Sequence, residues 1–265
     1  MDTHLAEALR LEVRSAAKLA LGAYDEEDEG MIWSLRSARG ILIWNPADGH
    51  LGIAIAGTDD RSDVLHDVNT LPRVFSEWGQ QSGVCVSDDA VDVVSTEGFM
   101  DYTASCSEAI LAKVDAIGLK WSSVTSMTIV GHSLGGAAAY LLQLTKPFEA
   151  SRTYTFGCPK TFKRGCRVPD RIRFACWHLS DPVVYLPLSC CHPKSQSVIV
   201  SRSSGIMPRT SRAFGARVFV IAYVVATWLY SVYAAVCRIW GGKPKVTAVH
   251  AHLMATYAKS IGISG

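Results

Sequence analysis

The pentapeptide Gly131-His132-Ser133-Leu134-Gly135 sets one hydroxyl between two glycines. It follows Met127-Thr128-Ile129-Val130, an apolar β-branched stretch that reads as a strand. It precedes Gly136-Ala137-Ala138-Ala139-Tyr140-Leu141, which reads as a helix. A serine on a sharp strand-to-helix turn is presented for attack on an acyl carbon, and the glycines remove the Cβ atoms that would clash there. The start of the helix supplies backbone N–H groups and a positive dipole end to an oxygen that gains negative charge.

A serine at its free pKa is a weak nucleophile and needs a base that is itself oriented by an acid. After such an elbow the acid comes next in the chain and the histidine last. Beyond residue 150 only Asp170 and Asp181 are acidic. Asp181 follows the strand-like stretch 171–177 and precedes Pro182, a turn at a strand end, whereas Asp170 lies before that strand and so at the other end of the sheet. Four histidines follow the serine: His178, His192, His250 and His252. His178 is too close in sequence to Asp181, and His192 lies in a loop of Pro, Cys and Ser. His250 and His252 open the last helix-like segment, and spacing does not separate them.

These residues need a scaffold, and the chain carries one. Leu5, Leu9, Val13, Ala16, Ala17, Ala20 and Ala23 recur at helical intervals over 4–23, before the acidic run 25–29. Stretches 41–44 and 51–56 read as paired strands around Asn45-Pro46-Ala47-Asp48-Gly49. A helix is expected over 98–120 with Phe99, Tyr102, Ile110, Leu111, Val114 and Ile117 inward. Strands follow at 124–130, 153–156 and 171–177, with helices at 134–144 and 246–261. Strands alternating with helices imply an α/β domain with a mainly parallel central sheet flanked by helices.

The 265 residues are 49% hydrophobic, long enough for a full core in one domain over 1–265. A net charge of +2 argues against a nucleic-acid partner. That total hides an asymmetry: residues 1–150 hold 10 Lys/Arg against 22 Asp/Glu, and residues 151–217 hold 12 against 2. A basic second half suits an anionic surface, and the other reading is two solvated faces of one domain that attract each other. The first residues lack a basic start and an apolar run, so no signal peptide is expected, and the eight cysteines read as reduced thiols. Cys190-Cys191-His192 lacks the second ligand pair of a zinc site, so no metal is expected.

Five stretches in order resemble the class 3, or fungal-type, triacylglycerol lipases. They are Ile129-Val-Gly-His-Ser-Leu-Gly-Gly-Ala-Ala-Ala139, Tyr154-Thr-Phe-Gly-Cys-Pro-Lys160, Leu179-Ser-Asp-Pro-Val-Val-Tyr-Leu-Pro187, His252-Leu-Met-Ala-Thr-Tyr257 and Ile55-Ala-Gly-Thr-Asp59. The resemblance implies an α/β-hydrolase-type fold, a Ser133–Asp181–His252 triad, oxyanion donors at Thr58 and Leu134, lipid ester substrates and no cofactor. It favours His252 over His250 because a tyrosine follows five residues on. Ala56 stands where the family usually has Arg, and Glu97 where it often has His. Residues 71–95 take the place of the family's lid, and their sequence leaves a lid and an ordinary loop both open.

Residues 218–237 are uncharged between Arg217 and Arg238, long enough for a membrane span. The stretch falls between Asp181 and His252, however. A single crossing would put about 30 Å of hydrocarbon between acid and base. Residues 213–238 are therefore expected to form a hydrophobic helical insertion lying in the membrane interface. Tyr223, Trp228, Tyr230 and Tyr233 suit the interface, and Arg202, Arg209 and Arg212 could meet anionic headgroups. Other readings are a helix in an oligomer interface or a true span on a non-catalytic chain. The expectation is a membrane-associated serine acyl hydrolase on the cytoplasmic side, cleaving acylglycerols or phospholipids; the alternative is a non-catalytic membrane anchor or scaffold on the same fold.

Overall fold

Along His50–Ile55, five consecutive residues from Leu51 are buried, so this strand needs cover on both faces. It has that cover in the computed structural model of the chain. The structure describes residues 3–24, 32–37, 39–44, 49–57, 71–169, 174–178, 181, 183–187, 189–192, 197–201, 205–208, 257 and 261. Helix α1 (Thr3–Gly22) precedes strands β1 (Ile32–Ser37), β2 (Arg39–Trp44) and β3 (His50–Ile55). Next come β4 (Pro72–Val74), α2 (Phe75–Ser82), β5 (Val94–Thr96), α3 (Glu97–Ala116), β6 (Ser126–His132) and α4 (Leu134–Leu142). The remaining strands are β7 (Arg152–Phe156), β8 (Phe162–Lys163), β9 (Phe174–His178), β10 (Cys190–Cys191), β11 (Ser197–Ser201) and β12 (Gly205–Pro208).

The main sheet has the order β1-β2-β3-β6-β7-β9-β11-β12. Its central strands β3, β6, β7 and β9 run parallel, and β11 continues in the same sense. The β1–β2–β3 edge is antiparallel, as is β12 on β11. The pairing expected between 41–44 and 51–56 is present, with Ile43 opposite Ile53.

Alternation along β3 divides the core. Leu51, Ile53 and Ile55 face a large cluster with Phe99, Ile110, Val114 and the inner residues of α4. Ala54 and Ala56 face a second cluster with Val13, Ala16, Ala17 and Ala20 of α1, together with Phe156, Tyr257 and Ile261. Alanine against alanine lets α1 approach the sheet closely. Helix α3 buries Phe99, Tyr102, Ile110 and Val114 as expected, but Leu111 is 37% exposed and Ile117 lies beyond the helix. Cys106 and Met100 fill the inward positions instead.

A second small sheet, β10-β8-β5-β4, lies apart from the first. Residues 71–95 contribute β4, α2 and β5 to it and to the core. Phe75 and Trp78 stack at 4.8 Å and are buried in the large cluster. Ala90 and Val93 join them there, tying this stretch to the main core. Among the described residues no helix is long and apolar enough to cross a membrane. The insertion 213–238 and the helix expected at 246–261, apart from Tyr257 and Ile261, lie outside the described residues.

Candidate active site

Ser133 occupies the turn between β6 and α4 with φ 56° and ψ −126°, and among the described residues it alone combines a positive φ with a side chain. Such a conformation costs on the order of 1–3 kcal/mol and persists only where the surroundings impose it. Here they do. A Cβ on Gly131 would collide with the Gly135 carbonyl, and one on Gly135 would collide with the Ile55 carbonyl, so α4 sits directly on β6 and β3. The Ser133 N–H donates to the Phe156 carbonyl at 3.0 Å, tying the turn to the end of β7. Leu134 is the first residue of α4, so its N–H has no acceptor within the helix.

The residue after Phe156 leads to the acid. Gly157 has φ 57°, and a Cβ there would stand 2.9 Å from Asp181 Oδ2 and 3.1 Å from the Tyr257 ring. Only glycine fits both the backbone and the space. Asp181 is fully buried after β9. Its Oδ1 accepts the Val183 N–H at 2.9 Å, and its Oδ2 accepts the Tyr257 hydroxyl at 2.5 Å. Ser133, Leu134 and Asp181 thus gather at the carboxyl ends of neighbouring parallel strands, where ligands of open α/β sheets bind.

Tyr257 joins this place from the far end of the chain. Its ring packs edge-on against Phe156 and His132, with centroids 6.3 and 6.0 Å away. His252 itself lies outside the described residues, as do His250, Asp170 and Thr58. Five residues reach at most about 18 Å, so the bond from Tyr257 to Asp181 limits how far His252 can stand from the acid.

Gly57, which precedes Thr58, is packed against the nucleophile: a Cβ on it would stand 2.6 Å from the Ser133 Cβ. Its N–H donates to the Tyr24 hydroxyl at 2.7 Å, and that hydroxyl lies 2.6 Å from His132 Nδ1. Tyr24, at the end of α1, therefore links the loop after β3 to the elbow. Sequence reasoning missed Tyr24, because no motif or period marks it beside the acidic run.

His192 is placed differently from the other candidates. Its Nε2 lies 2.8 Å from the Val184 carbonyl and its ring covers Trp177 at 4.0 Å, a packing role. Among the described residues no group of three or more His, Cys, Asp or Glu is arranged to hold a metal, and the seven cysteines there are free. Burial pushes the Cys158 and Cys176 thiols above the usual range, which keeps them neutral.

This geometry has relatives. A sequence profile of the family described as Lipase (class 3) matches residues 52–188, a span that includes Thr58, Ser133, Leu134 and Asp181. No curated protein matches the chain in sequence. Among solved structures, the Lip2 lipase from Yarrowia lipolytica is 18% identical with a TM-score of 0.56, covering 76% of this chain and 80% of that one. A lipase from Rhizopus microsporus var. chinensis is 16% identical with a TM-score of 0.54, covering 80% and 83%. A triacylglycerol lipase from Penicillium expansum is 17% identical with a TM-score of 0.52, covering 73% and 80%. At these identities the likeness is one of fold, α/β-hydrolase.

Proposed function

The chain belongs to the class 3 lipase family, a family of carboxylic ester hydrolases, and on that premise we propose that it cleaves acylglycerol or phospholipid esters at a membrane surface through a Ser133–Asp181–His252 triad. Ser133 attacks the ester carbonyl while His252 takes its proton, and Asp181 orients the imidazole and stabilises its charged form. The Leu134 N–H and Thr58 hold the oxyanion of the tetrahedral intermediate. His252 then returns the proton to the leaving alcohol, and water repeats the sequence on the acyl-enzyme.

The observation that carries this reading is the Tyr257–Asp181 hydrogen bond. It brings Tyr257, five residues past His252 in the sequence, onto the Asp181 carboxylate. Replacing Ser133 with Ala should abolish labelling by a fluorophosphonate and lower turnover of a soluble short-chain ester by about ten-thousandfold or more. His252→Ala should lose comparable activity, while His250→Ala retains most of it. A wild-type chain that takes no label would favour the non-catalytic anchor. Membrane association rests on the uncharged stretch 218–237 and on the basic second half of the sequence.

A further inference from the structure

The peptide unit between Ala56 and Gly57 is held at both of its polar atoms. Its carbonyl, on Ala56, accepts the Tyr102 hydroxyl at 3.1 Å. Its N–H, on Gly57, donates to the Tyr24 hydroxyl at 2.7 Å. The two tyrosines come from different helices. Tyr102 is buried on the inward side of α3. Tyr24 follows α1 at a turn closed by its own N–H on the Leu21 carbonyl at 2.9 Å. Ala56 has no polar side chain and Gly57 has no side chain at all, so nothing within this dipeptide fixes its rotation. Rotating the peptide about its flanking bonds would break both hydrogen bonds.

This clamp is registered on the nucleophile. The Tyr24 hydroxyl lies 2.6 Å from His132 Nδ1, and His132 immediately precedes Ser133. A Cβ on Gly57 would stand 2.6 Å from the Ser133 Cβ and 3.2 Å from the Tyr24 hydroxyl, so the three groups pack together. A Cβ on Gly135 would stand 2.6 Å from the Ala56 carbonyl oxygen, which sets the first turn of α4 against the same peptide. In sequence that peptide leads directly into Thr58. A donor is effective only about 2.7–3.1 Å from where the oxyanion forms, and small misplacements are costly.

We propose that Tyr24 and Tyr102 are paired positioning residues that fix the Ala56–Gly57 peptide and so hold the oxyanion loop in register with Ser133. The proposal rests on the hydrolase reading above and adds to it the two hydroxyls on which transition-state stabilisation depends. Neither hydroxyl touches the reacting atoms; both act through the main chain between them. Because one peptide carries both bonds, removing either hydroxyl frees its rotation, and removing the second adds little.

The test is a double-mutant cycle of Tyr24→Phe and Tyr102→Phe on a soluble short-chain ester, with Tyr154→Phe as the control. The Tyr154 hydroxyl donates to Glu12 of α1 at 2.9 Å, so the control removes a tyrosine bond to that helix and leaves the peptide untouched. Each clamp variant should lower kcat about tenfold with KM within about twofold. The double variant should lose about twentyfold, not the roughly hundredfold of independent effects. The control should keep kcat within about twofold. A full hundredfold loss in the double variant would mean two separate roles and overturn the shared clamp. A kcat loss in the control equal to that of the clamp variants would reduce both tyrosines to helix docking.

Affinity for a soluble trifluoromethyl ketone, which forms a tetrahedral adduct on a serine nucleophile, should fall by the same factor as kcat/KM in each clamp variant. Unchanged affinity would overturn the link to the oxyanion. Exchange of the Gly57 amide hydrogen in nitrogen-15-labelled Ser133→Ala reads the clamp without catalysis. Adding either Phe substitution should speed that exchange about tenfold and leave the Ile53 amide, in the middle of β3, unaffected. A Gly57 rate unchanged by Tyr102→Phe would overturn the pairing even in an active hydrolase. A chain that cleaves no ester yet shows both exchange effects keeps the clamp and loses only the hydrolase reading.

Discussion

Two hydroxyls and one ammonium test the site at the level of single groups. Tyr257→Phe removes a donor from the buried Asp181 carboxylate, and hydrogen bonds to charged groups contribute about 1.5–3 kcal/mol. Urea denaturation should show a loss of that size, with ester hydrolysis reduced about tenfold; an unchanged midpoint would remove Tyr257 from its anchoring role. Tyr24→Phe cuts the link between Gly57 and His132, leaving the donor loop less well held. We expect kcat to fall by roughly tenfold with little change in KM, since the interaction strengthens only as the oxyanion forms. Lys160 gives an effect of opposite sign on the fold. A cation whose folded-state pKa is lowered binds fewer protons folded than unfolded, so stability rises with pH through the interval up to the ordinary lysine value. Below that interval the charged form is a burden on the folded state, and Lys160→Gln should raise Tm at neutral pH. A lowered Tm would mean that the ammonium is structurally compensated.

Elements differ in how plainly the sequence announces them. The β6–Ser133–α4 unit was legible because its strand is β-branched, its turn is flanked by glycine and its helix is made of small residues. Helix α1 was legible from the alanines that let it lie close on β3, β6 and β7. Ala17→Leu should overpack that contact and cost about 1–3 kcal/mol by chemical denaturation. Asp181 could be chosen because only two acids lie beyond residue 150, but the partners of its carboxylate could not, since Tyr257 is 76 positions away. Strand β1 and helix α2 were not foreseen. Helix α2 is eight residues long, and its inward side is carried by Phe75, Trp78 and Gly79, too few repeats to show a period. The second sheet was hidden for a similar reason, its strands being two or three residues long. Trp78→Ala should cost roughly 3–5 kcal/mol, as for a large core residue. A variant of unchanged stability with altered vesicle activity would give this stretch a covering role.

At the scale of the whole molecule, the parallel order β3-β6-β7-β9 brings four separate loops to one end of the sheet. Gly57, Ser133 and Gly157 lead from those strands, and Asp181 follows the fourth. The fourth participant in the proposed chemistry returns from beyond the apolar stretch, and Tyr257 and Ile261 dock on the α1 side of the sheet. Arg14 of α1 reinforces that return by donating from Nε to the Ile261 carbonyl at 3.0 Å. These contacts do not involve residues 213–238. Replacing that segment with a short linker should therefore preserve hydrolysis of a soluble ester and reduce turnover on vesicles. Loss of both in a folded chain would show that the segment helps build the site.

The bond between Tyr257 and Asp181 also has a meaning for how the chain can change over evolutionary time. It closes a loop of 76 residues, and the entropy of closing a flexible loop grows only with the logarithm of its length. Excising residues 213–238 would leave about 50 in the loop and recover only about 0.4 kcal/mol on that scale. Length between acid and base is thus a nearly neutral variable for the closing contact. Sequence drift can lengthen, shorten or recompose the intervening chain while the contact between Tyr257 and Asp181 persists.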